Sequence, residues 1–336
     1  MDFYKRVETK YKEILTSYIQ QQTEQPLYLS EKLSKELLEH HVSPEEVISV
    51  HRNMLREIMD VPDEIYTSFD ILLEIMMSYG LAYREHQSLR NKQMELRMEL
   101  EIGAKVQKTL LGTKIPKLDF LDIGAISVPA KIMNGDYYHF VTDSRQSLKV
   151  AIADIIGKGI PAALCMSMIK FAMDSLKCSS DETPNVVLEN INRIIEQNLE
   201  QGMFITMFYG SYNPSEHHFQ YASAGHEPGF FYNCKLDEFS DLDTKGLILG
   251  VDKNVTYPMY EKNLEVGDMI VLLSDGVTET RINNGFLERE MISKYIKKYI
   301  HLSAQEIVNN IYKELERLQE FKLRDDFTLI ILRRKV

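Results

Sequence analysis

Cysteine, excess positive charge and long apolar runs are all scarce in this chain, and each scarcity argues against something. The three cysteines, Cys165, Cys178 and Cys234, show neither Cys-x-x-Cys nor zinc-ligand spacing. A disulfide framework and a thiolate metal centre are not expected, and a reduced, cytoplasmic setting is. Lys and Arg number 39 against 50 Asp and Glu, a net charge of −11. That balance argues against a nucleic-acid partner and favours cations or basic surfaces. The most apolar stretch, ILLEIMMSYGLAY at 71–83, is interrupted by Glu74 and is too short to cross a bilayer. Lys5, Arg6 and Glu8 stand where a signal peptide would carry its apolar core. The expectation is a soluble protein with no membrane partner.

What is present is helical at first. Phe3, Val7, Tyr11, Ile14 and Tyr18 recur at helical spacing, and Leu33, Leu37 and Leu38 mark a second helix. In SPEE at 43–46, Ser43 suits the N-cap, Pro44 the first helical position, and Glu46 closes a capping box. Val47, Met54, Leu55 and Ile58 supply that helix with an apolar face. Pro62 opens a fourth, with Ile65, Phe69, Leu72, Met76, Tyr79 and Tyr83 on one side. Four amphipathic helices with short links predict an all-α bundle over residues 1–84.

The fourth helix has no stop signal there, and a helical connector is expected over 85–115. Leu89, Leu96 and Leu110 fall at seven-residue multiples with Leu100 between, a coiled-coil pattern. Gln93, Gly103 and Gln107 break its seam. A second stripe (Met94, Met98, Ile102, Val106, Leu110) runs along another face. Such a helix suits either a solvated connector or an element that changes partners.

After Pro116 the pattern turns to strands: LDIGAISV, YYHFVTD, LKVAIAD, MFITMFYGSY, FQYASA, GFFYN, MIVLLSD and FTLIILRR. Helical patterns fill 160–176, 184–200, 287–299 and 303–319. Strands in succession without alternating helices argue against a parallel doubly wound sheet. They predict two sheets with helices packed outside over 116–336. Four aspartates sit at strand ends beside glycine or a turn: Asp136, Asp154, Asp275 and Asp326. Singly, each reads as a turn acid. If they converge, their repulsion requires protonation or cations. All-oxygen ligation without His or Cys pairs points to Mg²⁺ or Mn²⁺, and two such ions suit phosphoryl hydrolysis.

NGDYYHF, ADIIGKGIPAAL, ASAGHEP, SDGVTE and RDDFTLIIL follow in that order from 134, 153, 222, 274 and 324. Together they resemble the motifs of the metal-dependent PPM (type 2C) serine/threonine phosphatases, in their bacterial sporulation-phosphatase branch. With the helical front end and EIGAKVQKTLLG, the resemblance extends over the whole chain to the sigma-B regulatory phosphatases of the general stress response. It implies an αββα sandwich, two antiparallel sheets flanked by helices, behind the bundle and its helical linker. It implies two Mn²⁺ or Mg²⁺ ions and catalysis through metal-activated water. Asp154 would bridge the ions, the Ile155 carbonyl would add a ligand, Asp136 would serve the first ion, and Asp275 and Asp326 would complete the second. Asp325 is left as a surface or turn acid.

The implied substrate is a phosphorylated STAS-type anti-anti-sigma factor, whose dephosphorylation frees sigma-B by partner switching. Residues 1–84 would form a homodimer and bind an activating switch kinase. The connector would act as the switch, so that leucine at Gln93, Gly103 and Gln107 would raise basal activity. Lys158 stands where larger relatives carry a histidine, the family's phosphate-binding arginine has no counterpart near residue 120, and His226 reads as a turn or packing histidine.

Two rival readings follow from the same residues. GKGIPA matches the dinucleotide fingerprint G-x-G-x-x-A between a strand and a helix, which would make the protein an oxidoreductase. Against it, Asp154 would face the pyrophosphate, and the acid about 20 residues on, Asp174, falls inside a helix. The other is a non-catalytic adaptor with an inactive phosphatase fold, against which the four retained aspartates argue.

Overall fold

The computed structural model describes residues 2–155, 157, 159–175, 182–198, 203–243, 245–282, 285–321 and 323–336. Lys158 and Cys178 lie outside these residues. The chain divides into two compact units, 1–97 and 98–336.

The first unit holds α1 (Asp2–Gln20), α2 (Glu24–Glu39), α3 (Pro44–Ile58) and the first part of α4 (Asp63–Leu111). Ser43 caps α3 as its sequence requires. Its side chain accepts the Glu46 N–H, and the Glu46 carboxylate accepts the Ser43 N–H at 2.8 Å. The core is small: Val7 from α1 with Leu33 and Leu37 from α2, flanked by Tyr11, Ile14 and Val47. α4 joins through α3. Arg56 stacks over the Tyr66 ring at 4.7 Å, His51 meets Phe69 at 5.4 Å, and Arg52 pairs with Asp70 at 2.8 Å.

The expected fourth face does not close the bundle, because Ile65, Leu72, Tyr79 and Tyr83 remain exposed. α3 runs along another side of this stretch, touching Tyr66, Phe69, Asp70 and Arg84.

The second unit is an αββα sandwich. One sheet has the order β2 (Asp136–Thr142), β3 (Leu148–Ile155), β4 (Ile205–Asn213), β5 (His218–Ala224) and β8 (Met259–Asn263). The other runs β1 (Leu121–Val128), β12 (Phe327–Arg334), β9 (Met269–Leu273), β6 (Phe230–Asn233) and β7 (Glu238–Asp241). Every pairing in both sheets is antiparallel, as is that of the short strands β10 (Arg281–Ile282) and β11 (Gly285–Phe286). A dinucleotide fold needs parallel βαβ units, so the GKGIPA reading falls. Asp174 lies inside α5 (Ile160–Ser175), salt-bridged to Lys170 and 3.2 Å from His139 Nε2.

Strand alternation builds three cores. Val150 and Ile152 of β3 meet Ile330 and Leu332 of β12 between the sheets. Ala151, Ala153 and Ile155 pack beneath α5 and α6 (Pro184–Asn198). Leu329 and Ile331 pack beneath α8 (Arg289–Lys298) and α9 (Ala304–Leu318). Both sheet faces are covered, which is why these strands read as unbroken apolar runs.

The last turns of α4 belong to this unit. Gly103, Gln107 and Leu111 face it: Gly103 lies against Met133, Gln107 is buried, and Leu111 packs on the α5–α6 core. Met94, Met98, Ile102, Val106 and Leu110 are each more than half exposed. Position 107 is therefore a docking position in this conformation and not an open place in a coiled-coil seam.

Ile152 is fully buried between the sheets. Ile152→Ala is expected to cost about 2–5 kcal/mol, read as a lowered urea midpoint for the second unit.

Candidate metal centre

One end of the sandwich gathers the acids. In the register of β2 and β3, Asp136 and Asp154 are direct cross-strand partners. Like charges placed opposite one another destabilise a sheet. Asp136 is buried, and its Oδ2 has no hydrogen-bond partner. Burial first, then the nearby Asp154 and Asp326, push its carboxyl well above the ordinary range, while the Ser274 and Thr328 hydroxyls act in the opposite sense.

Gly135 precedes it for lack of room. A Cβ there would lie 2.9 Å from Asp326 Oδ2, 3.6 Å from the Gly157 carbonyl and 3.7 Å from the Ile155 carbonyl. Three oxygens thus surround a point that no side chain fills. Gly157 and Gly159 have φ of 116° and 89°, a left-handed turn that favours glycine.

Asp326 is committed to backbone. Its Oδ1 accepts the Ala130 N–H at 2.7 Å and its Oδ2 accepts the Gly135 N–H at 2.6 Å, so one buried carboxylate brackets two loops. The resemblance pairs Asp275 with Asp326, but among the aspartates the charge that bears on Asp275 is that of Asp325. Asp275 opens α7 (Asp275–Thr278) at the end of β9. Burial and then the Asp325, Glu279 and Glu227 charges raise its pKa, against the Gly276 backbone. Gly276 lets these elements touch, since a Cβ there would sit 2.0 Å from the Asp326 carbonyl. Asp325 is the residue that sequence reasoning set aside. Its signal was present in the doubled acid of RDDF, without any indication of which acid turns outward.

His226 is structural. Its Nδ1 lies 2.9 Å from Thr206 Oγ1, its N–H donates to Ser223 Oγ at 3.2 Å, and burial pushes its pKa down to about 4. It stays neutral near pH 7.

Among the described residues no three His, Cys, Asp or Glu side chains close into a ready-made metal cage. The donors nonetheless fit a hard divalent cation. They are all oxygen, they include an orphaned buried carboxylate oxygen, and they carry excess negative charge.

Over 337 aligned positions, 100% of both chains, the sequence is 56% identical to "Phosphoserine phosphatase RsbU" of Bacillus subtilis (strain 168). The chain belongs to the RsbU family of phosphoserine phosphatases. Residues 144–335 match the Stage II sporulation protein E family, and residues 9–82 match the N-terminal domain of phosphoserine phosphatase RsbU. The SiaA PP2C domain of Pseudomonas aeruginosa shares the fold at TM-score 0.62 and 17% identity, covering 72% of this chain and 98% of that one. The catalytic domain of the serine/threonine phosphatase PstP, solved with two manganese ions, matches at TM-score 0.50 and 15% identity, covering 65% and 99%. The protein is thus a phosphoserine phosphatase by family, and its second unit has the PP2C fold.

Two expectations follow for the phosphatase. A carboxyl with a raised folded pKa binds its proton more tightly in the folded chain. The metal-free protein should therefore lose stability as pH rises from the ordinary value of 3.8 towards that raised pKa. Asp136→Asn removes the penalty and should raise the Tm of chelator-treated protein near pH 7 by about 2–4 °C, the shift that about 1 kcal/mol produces in a domain of this size. The same substitution should abolish stabilisation by Mn²⁺. Gly276→Ala, by contrast, forces β9 and β12 apart and should reduce both folded yield and activity, read by circular dichroism and phosphate release.

Proposed function

We propose that the phosphatase hydrolyses phosphoserine on a STAS-type anti-anti-sigma factor with two Mn²⁺ or Mg²⁺ ions, and so frees sigma-B by partner switching. The observation that carries the chemistry is the Asp136–Asp154 cross-strand pair with its unpartnered buried oxygen. The full-length kinship to RsbU supports the substrate. Asp154, partly exposed at the strand end, is assigned the bridging position, with Asp136 and the Ile155 carbonyl at the first ion. Asp275 and Asp325 are assigned to the second, on the strength of the position of Asp275 at the end of β9 and of the Asp325 charge that bears on it. Asp326, placed there by the resemblance, is assigned to holding the loops at 130 and 135, where each of its oxygens accepts a backbone N–H. A bound cation pair supplies an activated water and offsets charge on the phosphoryl oxygens.

The bundle over 1–84 is proposed to dimerise and to bind an activating switch kinase, with 85–115 as connector and 116–336 as catalytic domain, in the cytoplasm. Two features support the bundle's role. The α4 face at Leu72, Ile75, Tyr79 and Tyr83 is exposed. An apolar pocket of about 390 Å³ opens among Tyr11, Ile14, Leu33, Val47 and His51. Among the described residues no helix is long and apolar enough to cross a membrane.

The test is phosphate release from the phosphorylated STAS partner across a Mn²⁺ titration, with and without the kinase. Release should require Mn²⁺ and rise with the kinase. Asp154→Asn and Asp325→Asn should each lose more than the roughly 10–100-fold typical of an outer-sphere change. Asp326→Asn should act mainly on stability, by about 1–3 kcal/mol. Folded wild type that releases no phosphate at any Mn²⁺ concentration would favour the adaptor reading.

A further inference from the structure

Gln107, near the end of α4, makes a two-way amide clasp on the backbone of Asn134. Its Nε2 donates to the Asn134 carbonyl at 2.8 Å, and its Oε1 accepts the Asn134 N–H at 3.1 Å. Nε2 also lies 3.2 Å from Met166 Sδ. The paired bonds are those of a neighbouring strand residue, so Asn134, two residues before β2, is held as though the sheet continued to it.

The hold passes directly to the acids. Asn134 Oδ1 accepts the Asp136 N–H at 3.0 Å, and Asn134 Nδ2 donates to Ser127 Oγ at 2.8 Å. Between them, the Gly135 N–H reaches Asp326. A cleft of about 540 Å³ joins Gln107, Asn134, Asp136 and Met166.

We propose that Gln107 is a positioning residue for Asp136: it fixes the backbone of Asn134-Gly135-Asp136 and makes the rotation of the last turns of α4 a determinant of metal-site geometry. The proposal rests on the assignment of Asp136 as a metal ligand. A residue that merely filled the cleft beside Met166 would be apolar, since a buried amide is costly unless its polar groups are matched. Here both polar atoms of the amide are matched by one backbone residue. The latch is also sensitive to rotation. One residue of helix advance turns a side chain by about 100° and would withdraw the amide from Asn134. Leucine at 107 therefore weakens the site, the reverse of what the seam reading of the sequence implies for that position.

The test uses the full chain with Gln107→Leu and Gln107→Met, the flexible methionine serving if leucine does not fold. In metal-free protein, amide hydrogen exchange of the peptide spanning 134–136 should accelerate at least tenfold while the global Tm holds. Mn²⁺ affinity by calorimetry should fall about tenfold. At saturating Mn²⁺, kcat for a small aryl phosphate should drop with KM unchanged, a split that loss of packing alone does not produce. Wild-type exchange at 134–136 in a folded variant would overturn the clasp. Accelerated exchange with unchanged Mn²⁺ affinity would overturn its role towards the metal. Wild-type chain that binds no Mn²⁺ would instead remove the assignment of Asp136 while leaving the exchange result to stand.

Discussion

The constraint on which the rest depends is electrostatic: several carboxylates are held at one end of a two-sheet sandwich, and two of them, Asp136 and Asp326, are buried. Taking an ionised carboxylate out of water costs several kcal/mol even after relaxation, and the cross-strand placement of Asp136 and Asp154 adds repulsion. The Ser274 and Thr328 hydroxyls offset only part of that. The rest of the offset comes from the sandwich, where each large buried side chain contributes about 1.5–3 kcal/mol and Ile152, Phe208, Phe219 and Ile330 are all fully buried. A few such residues outweigh the strained end. The stable part of the molecule thus keeps an unstable arrangement of charge in place.

Much of the remaining polar structure serves the same end. Asp326 contributes its carboxylate to two backbone N–H groups, which fixes the loops at 130 and 135 with charge-assisted bonds. Ser274 Oγ accepts the Thr328 N–H at 3.0 Å, and Thr328 Oγ1 reaches Ser127 Oγ at 3.0 Å. Ser127 in turn receives the Asn134 side chain. These bonds link β9, β12, β1 and the loop before β2 around the acids. The backbone of the site is therefore set from several elements at once, and no one loop decides its geometry.

How far this was legible in the sequence depended on whether the signal was local. The capping box at Ser43, the proline start at Pro44 and the apolar strand runs each carry their own physical reason within a few residues, and each element is found. The pairing of Asp136 with Asp154 was half legible. Both acids stood at strand ends, but their meeting depends on the β2–β3 register. Asp325 and Asp326 mark where local reading stops. Neighbouring residues of an extended segment point to opposite sides, and only the packed structure says that Asp326 turns inward to backbone while Asp325 bears on Asp275. The α4 face at Leu72 and Tyr79 misled for a related reason. Amphipathicity shows that a face wants cover, not whether this chain supplies it.

Gln107 was the least legible residue of all, because a polar residue at a heptad position reads as a defect until its partner is seen. Its position also resolves the ambiguity of the two-faced connector. The docking face, Gly103, Gln107 and Leu111, is offset by one residue from the open stripe, Ile102, Val106 and Leu110, which is about 100° around the helix. The two faces can be occupied together. A partner gripping the open stripe has no need to displace the Gln107 clasp, and by suppressing fraying and rotation of these turns it would tighten that clasp. Activation through such a helix needs no new contact at the metal centre. It needs only that an arrangement already available to the chain be populated more of the time, and the energy required is the small amount that separates a marginal helix from a firm one.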